Sequence, residues 1–467
     1  MKKTLLFILL PLFTLTSCED WFDITPKSEL KADDFFETEQ GMRDALIGIY
    51  ATMADEKLYG GLMTMTYMDV LGQYYSSIGN TLHSFYYAYN YDYTNSTEEA
   101  RKDGLWKALY NGIANANSLL EKMEANRSAL PEGDYELIRG EALGLRAYLH
   151  FDLLRLFAPS PAMSNGLNRP AIPYVDRLTN QLFARLTTAE VLQRIEADLT
   201  EARSLLAEVD PYGPHHSDYD LDNLTGIRKG REYRMNYYAV TGVLARVLLY
   251  EGSTDSKNQA FTYATEIIDS GLFPLISSAD LSGTDQNGFV QENLFALEDV
   301  GLEDNIVDIY FNVGNTSSNY LALTGNTLDN IFPASLSMDY RRLWWIETSG
   351  SDNLITKYNY SERVPLVKVS EMYLIATETA PNLTEATEYF NQLQYHRGLP
   401  NDELTAENIQ DKLLAEYAKE FIAEGQTFFA YKRMGMNVTP VTKRVLPDAE
   451  AVYVLPIPTE NTNFTNQ

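Results

Sequence analysis

The sequence predicts a mainly α-helical fold in which packed helix pairs form a scaffold and carry one loop-rich, irregular region. Three observations lead there. Long stretches repeat apolar residues at steps of three and four, small residues sit on those stretches where helices must approach closely, and Pro or Gly ends them. One domain over 18–467 is expected, with the helical scaffold at roughly 34–270 and 366–435 and the variable region at roughly 271–365.

Before the scaffold comes a leader. Lys2 and Lys3 precede an apolar run from Leu5 to Leu15, broken only by Pro11 and Thr14. A bilayer-spanning helix takes about 20 apolar residues, so 1–17 read as a secretion signal. Leu15-Thr16-Ser17-Cys18 resembles a bacterial lipobox, which implies cleavage before Cys18 and acylation of its thiol. Cys18 is the only cysteine in 467 residues, so no thiol is left for a disulfide, a zinc site or a nucleophile. The acidic Glu19, Asp20 and Asp23 that follow resemble the export signals of Bacteroidetes surface lipoproteins. The expected location is the outer membrane, lipid-anchored and facing the exterior.

The helices follow. An acidic cap at Asp33 or Asp34 opens a segment striped by Phe35, Phe36, Met42, Ala45, Leu46, Ile49 and Tyr50. In 101–124, Trp106, Leu109, Tyr110, Ile113, Leu120 and Met123 share a face. In 135–157, Ile138, Ala142, Leu145, Leu149, Leu153 and Leu156 do the same until Pro159 and Pro161 stop the helix. A third runs over 188–207, and others are expected at 234–251, 257–270, 367–379, 384–396 and 408–433. Gly140, Gly144, Gly242 and Ala245 mark close approaches, and the pairing resembles tetratricopeptide units, without a strict 34-residue register. The stretch 271–366 is instead rich in Gly, Asn, Ser and Asp, with β-prone runs such as Asp308-Ile309-Tyr310-Phe311.

Charge narrows the function. Loss of Lys2 and Lys3 with the signal takes the formal net charge from -28 to -30, a surface that repels polyanions and excludes nucleic acid as a partner. With 45% hydrophobic and 12% aromatic residues the chain can bury a large core. Its 32 tyrosines supply flat apolar faces that tolerate a wet surface.

Several motifs together resemble one family. Trp106-Lys107-Ala108-Leu109-Tyr110 with Ile113 and Ala116-Asn117 is similar to a signature of SusD/RagB-type nutrient-binding lipoproteins. So is Gly140-Glu141-Ala142-Leu143-Gly144-Leu145-Arg146-Ala147-Tyr148, running into Phe151-Asp152-Leu153-Leu154-Arg155. Arg234-Met235-Asn236, Ser370-Glu371-Met372-Tyr373, Glu424-Gly425-Gln426 and Leu455-Pro456-Ile457-Pro458 continue the resemblance in the family's order. It implies about four tetratricopeptide-like helix pairs with a variable region against them. It also implies a lid on a SusC-like TonB-dependent transporter, capturing a glycan or, in RagB-like members, a peptide.

Two stretches are candidates for the ligand site. In 66–93, Asp69, Tyr74, Tyr75, Asn80, Tyr86, Tyr87 and Tyr89 combine aromatic faces for sugar C–H surfaces with polar groups for hydroxyl rims. The bland alternative makes Phe85, Tyr87, Tyr89, Tyr91 and Tyr93 the buried face of a strand. The second candidate is Arg341 with Trp344 and Trp345, preceded by Tyr320; Arg341 could equally pair with Asp339. Asp218, Asp220 and Asp222 start like a calcium loop, but Asn223 and Lys229 stand where the turn Gly and bidentate Glu belong. Charges inside the helical motifs, among them Arg146, Glu141, Asp152, Arg155 and Glu420, read as scaffold pairs. No Gly-x-Ser-x-Gly elbow, His-Glu-x-x-His motif or phosphate loop occurs, and no cofactor is expected. The expectation is a non-catalytic surface receptor for a glycan, with peptide as runner-up, over a surface hydrolase or a protein adaptor.

Overall fold

The computed structural model describes residues 34–458 apart from Ser77, 283–287 and 313–317. The signal at 1–17 and Cys18 lie outside the described residues. No helix among those described is long and apolar enough to cross a membrane.

The frame is helical. In chain order its helices are α1 (Glu39–Ala54), α2 (Tyr67–Leu71), α3 (Tyr86–Tyr89), α4 (Ser96–Ala125), α5 (Asp134–Phe157), α6 (Thr188–Ala207), α7 (Tyr237–Glu251) and α8 (Thr254–Ser270). Then come α9 (Gly325–Ile331), α10 (Tyr340–Trp345), α11 (Val369–Thr379), α12 (Leu383–Tyr395), α13 (Ile409–Glu420), α14 (Gln426–Arg433) and α15 (Ala449–Tyr453). The long helices pack in series, α1 on α4, α4 on α5, α5 on α6, α6 on α7, α7 on α8, α8 on α11 and α11 on α12. Such a run of neighbouring pairs is the tetratricopeptide-like arrangement, in which each pair buries its apolar stripe only against the next.

Local chemistry sets the ends. Thr187 and Glu190 form a reciprocal capping box at α6, and Asn236, Ser253 and Asn382 accept backbone amides at α7, α8 and α12. The cap of α1 is Thr38; Asp34 opens a separate helical turn at 34–36, and Asp33 lies outside the described residues. Helix α5 runs through the middle and is buried on nearly every side. A methyl group at Gly140 would stand 2.6 Å from Leu206, and one at Gly144 2.7 Å from Met235. Those two close approaches are what the small residues serve.

Two sequence-based helices are altered by tertiary contacts. The stretch 408–433 breaks into α13 and α14 at a turn where Ala423 and Gly425 both have positive φ. A side chain at Gly425 would strike the Met63 carbonyl at 2.2 Å, so the turn is locked against the segment before α2. The other helix starts at Val369 instead of 367, since the preceding residues form a strand.

Among the described residues, three small antiparallel sheets complete the fold: β1 (Pro170–Pro173) with β2 (Arg185–Thr187), β3 (Asn293–Glu298) with β6 (Arg363–Lys368), and the hairpin β4 (Ile346–Ser349) with β5 (Asp352–Ile355). Asp308-Ile309-Tyr310-Phe311 is not a strand. It ends a π-helical segment over 303–311 that buries Ile306, Val307 and Phe311 at helical spacing. One apolar cluster runs from Phe36 to Leu455 and includes residues of both the helical frame and the loop-rich stretch.

Candidate functional site

The two candidate stretches meet. Ser84 N–H donates to the Ser318 carbonyl at 2.9 Å, and His83 Nε2 lies 2.9 Å from the Tyr320 carbonyl. Phe85 N–H donates to His83 Nδ1 at 3.1 Å, which makes Nδ1 the acceptor and leaves Nε2 to donate to Tyr320. Further along, Ser76 N–H donates to Ala322 O at 3.2 Å, and Leu323 pairs with Asn353 at the β4–β5 hairpin. The segment at 80–90, the segment at 318–323 and the hairpin therefore form one continuous edge.

Aromatic rings line that edge. The Tyr86 and Tyr87 rings stand 5.4 Å apart and nearly perpendicular, so a ligand meeting one face meets the other ring edge-on. Both are half-buried, as are Tyr310, whose ring lies 6.0 Å from Phe85, and Tyr320. Tyr320 donates to Asp352 Oδ2 at 3.1 Å; burial first, then that hydrogen bond and the Asp352 charge, push its hydroxyl up to about 12. Burial holds the His83 imidazole below its ordinary value. Asn80 is exposed and accepts from Leu82 N–H, turning the loop so that Leu82 is 81% exposed. These joined segments, with their half-buried rings and the polar Asn80 and Asp352, are termed the aromatic shelf.

The remaining candidate residues divide by burial. Asp69 is in the interior and accepts from Ala423 N at 2.6 Å and Gly425 N at 3.0 Å, so it ties down the turn between α13 and α14. Tyr74 donates to the Ala418 carbonyl at 2.7 Å, and Tyr75 to the Met65 carbonyl at 2.7 Å, both fully buried. Arg341 is buried among Asp339, Glu416 and Glu420, at 2.7 to 3.0 Å. Trp345 is also enclosed, 4.7 Å from Phe289 with the Lys357 ammonium 3.8 Å above its ring. These five are core residues, because each has its polar groups or its faces satisfied inside. Trp344, its sequence neighbour, is half-buried.

The half-buried Tyr89 ring has the Arg444 guanidinium 5.6 Å from its centroid. The strand alternative for 85–93 also fails: the segment is a short helix, α3, followed by a turn, with Phe85 and Tyr93 buried and Tyr87, Tyr89 and Tyr91 half-buried. Asp218 and Asp222 lie on successive 3-10 turns and Asp220 between them, its carboxylate bonded to Asn223; no group of three metal-ligating side chains is assembled among the described residues.

Tyr310 and Asp352 are shelf residues that sequence reasoning did not single out. Tyr310 was hidden in a run that looked β-prone, and nothing in the sequence distinguishes Asp352 from other loop acids.

The family described as SusD-like, starch-binding and associating with the outer membrane matches residues 20–216. That match covers less than half of the chain, which is similar to the SusD-like family over those residues. SusD-like protein P25 of Formosa agariphila is 23% identical over 210 residues, 43% of this chain and 37% of that protein. SusD-like protein P2 of the same organism is 25% identical over 213 residues, 44% of this chain and 39% of that protein. The matched stretch thus spans less than two-fifths of each relative's length.

The fold match extends further than the sequence match. A SusD superfamily protein from Bacteroides thetaiotaomicron superposes with a TM-score of 0.72 at 20% identity, covering 91% of this chain and 98% of its own. A putative sugar binding protein from Bacteroides vulgatus gives 0.70 at 22% identity, covering 91% and 96%.

Proposed function

We propose that this protein is a SusD/RagB-type, non-catalytic receptor that captures a glycan on the aromatic shelf and passes it to a SusC-like TonB-dependent transporter. The supporting observation is the junction itself: two segments more than two hundred residues apart, one carrying Tyr86 and Tyr87 and the other Tyr320, are hydrogen-bonded together. Sugar rings offer apolar C–H faces and hydroxyl rims, and half-buried tyrosines beside Asn80, Asp352 and backbone groups match both. The outer-membrane association of the matched family and the lipobox-like Cys18 support placement at the cell surface.

Titration of the purified protein with soluble polysaccharides, followed by calorimetry, tests this. Saturable heat that falls at least tenfold in apparent affinity in Tyr87→Ala supports the shelf. Release of reducing ends by the protein alone would overturn the non-catalytic reading. Copurification with the transporter, lost on Cys18→Ser, tests the partner and the anchor together.

A further inference from the structure

Three arginines from three helices line one small cavity in the scaffold: Arg155 of α5, Arg246 of α7 and Arg433 of α14. Its volume is about 30 Å³. A single water needs about 10–15 Å³, so the space suits one water or one small ion. Tyr250, Glu371 and Gln426 add further polar groups to the lining.

The acceptors at this cavity are already engaged. Both Glu371 oxygens accept from Arg246, at 2.7 and 2.5 Å, and Gln426 Oε1 accepts from Arg155 Nη1 at 2.9 Å. Asp152 and Glu378, which pair with Arg155 and Arg433, do not line it. The rings of Phe151 and Phe429 lie 4.7 and 3.9 Å from the Arg155 guanidinium, which leaves its N–H edge for hydrogen bonds.

Donors are left over. Tyr250 is 3% exposed, and its hydroxyl has no hydrogen-bond partner among the described residues. Burial raises that hydroxyl, and the charges acting against burial are Arg155 first and then Arg433, so it stands in the field of two of the three guanidinium groups. Arg246 is 5% exposed and bonds through Nε and Nη2, while its Nη1 has no partner among the described residues. A buried donor without an acceptor carries the full desolvation cost of its group. A water here would have to place its own two hydrogens as well, against acceptors that are taken. A small anion only accepts, and bonds to charged donors are the stronger ones.

We propose that this cavity is a binding site for one chloride ion, held by the Tyr250 hydroxyl and the surrounding guanidinium groups. The ion ties α14 to α5 and α7. Its role is in the scaffold, apart from the aromatic shelf.

The test follows thermal unfolding of the purified protein as sodium chloride replaces sodium gluconate at constant ionic strength. An ion that binds only the folded state raises the melting temperature by mass action. A rise of at least about 2 °C that levels off with chloride concentration is expected. Tyr250→Phe loses no bond to the protein and should fold, and the chloride needed for half of the rise should increase at least tenfold. Measuring both proteins in the same salts cancels the general effect of either anion on stability. Crystals grown in sodium bromide should show an anomalous peak beside Tyr250 Oη. Equal melting temperatures in the two salts, an unchanged chloride dependence in Tyr250→Phe, or water alone at that position in the bromide crystal would each overturn the proposal.

Discussion

Tyr74 and Tyr87 are the same residue type thirteen positions apart, and so are Trp345 and Trp344 as direct neighbours. In each pair one member belongs to the interior and the other reaches the surface. The interior around α13 is a charge lattice: Glu420 meets Arg341, Lys368 and Arg397, Arg397 also meets Glu292, and Glu424 meets Lys357 and Lys368. The shelf at 80–90 and 318–323 has no such closure, and its rings keep part of their surface in water. The contrast teaches that residue chemistry does not separate scaffold from site here. What separates them is enclosure: Tyr74 and Trp345 are fully buried, while Tyr87 and Trp344 keep part of their surface in water.

The strongest way to break this contrast is to open the lattice. Arg397 donates to both oxygens of Glu292, at 2.8 and 2.6 Å, and to both of Glu420, at 3.0 and 2.9 Å. Arg397→Ala leaves two buried carboxylates short of a partner, and loss of one member of such a group costs about 3–5 kcal/mol. The urea midpoint should fall accordingly, while any glycan affinity of the remaining folded protein should not change. A midpoint within experimental error of the parent would show that the lattice is dispensable.

Acid attacks the same lattice more gradually. Burial alone would raise the Glu416 carboxyl, but the charges of Arg341 and Lys419 outweigh it and hold it at about 2; Glu420 is held well below its ordinary value by Arg397 and Lys368 against the same burial. These groups bind fewer protons folded than unfolded, so unfolding takes up protons as pH falls. The stability they give is complete above the unfolded value of about 4.5 and is lost as pH drops toward 2. Melting temperature should be nearly flat from pH 7 to 5 and then decline. Glu416→Gln should flatten the upper part of that decline.

A paired substitution sharpens the comparison between like residues. Tyr74→Phe removes a hydroxyl that lies 2.7 Å from the Ala418 carbonyl and 2.6 Å from Thr427 Oγ1. It should cost about 1–3 kcal/mol of stability, the penalty for unsatisfied buried partners, and leave glycan binding alone. Tyr87→Ala should do the reverse, with about a tenfold loss of affinity from a stacking contact worth about 1–1.5 kcal/mol and little change in stability. Equal effects of both on binding would mean that the shelf is not the site.

Much of the fold was legible because periodicity survives in long helices. Helix α6 runs over the predicted residues and α5 starts one residue early, because their apolar stripes are long and Thr187, Pro159 and Pro161 punctuate them. The break at Ala423–Gly425 was not legible, since Asp69 holds it from more than three hundred residues away. The same long-range logic hid half of the shelf. Nothing local tells Arg341, which closes on Asp339 and α13, from Arg342 next to it, and no local pattern predicts that His83 reaches Tyr320. Aromatic enrichment in 80–90 could not sort which of its rings are buried and which are half-exposed.

That His83 link gives the smallest and most specific prediction. Its Nδ1 accepts from Phe85 N–H and its Nε2 donates to the Tyr320 carbonyl, so the neutral ring with its proton on Nε2 joins the two halves of the shelf. Protonation puts a hydrogen on Nδ1 facing an N–H, and the bond to Phe85 is lost. Burial lowers the folded value below the ordinary 6.5, so the folded state binds fewer protons than the unfolded one in that window. The junction is therefore at full strength above pH 6.5 and weakens as pH falls through the folded value. Glycan affinity measured at pH 7.5 and pH 5 should differ a few-fold in the parent protein, with the lower value in acid. His83→Gln carries no titrating proton and should bring the two affinities together. A parent protein with equal affinity at both pH values would mean that the two aromatic segments are held in register without the imidazole, by Ser84–Ser318 and the packing of Phe85 on Tyr310.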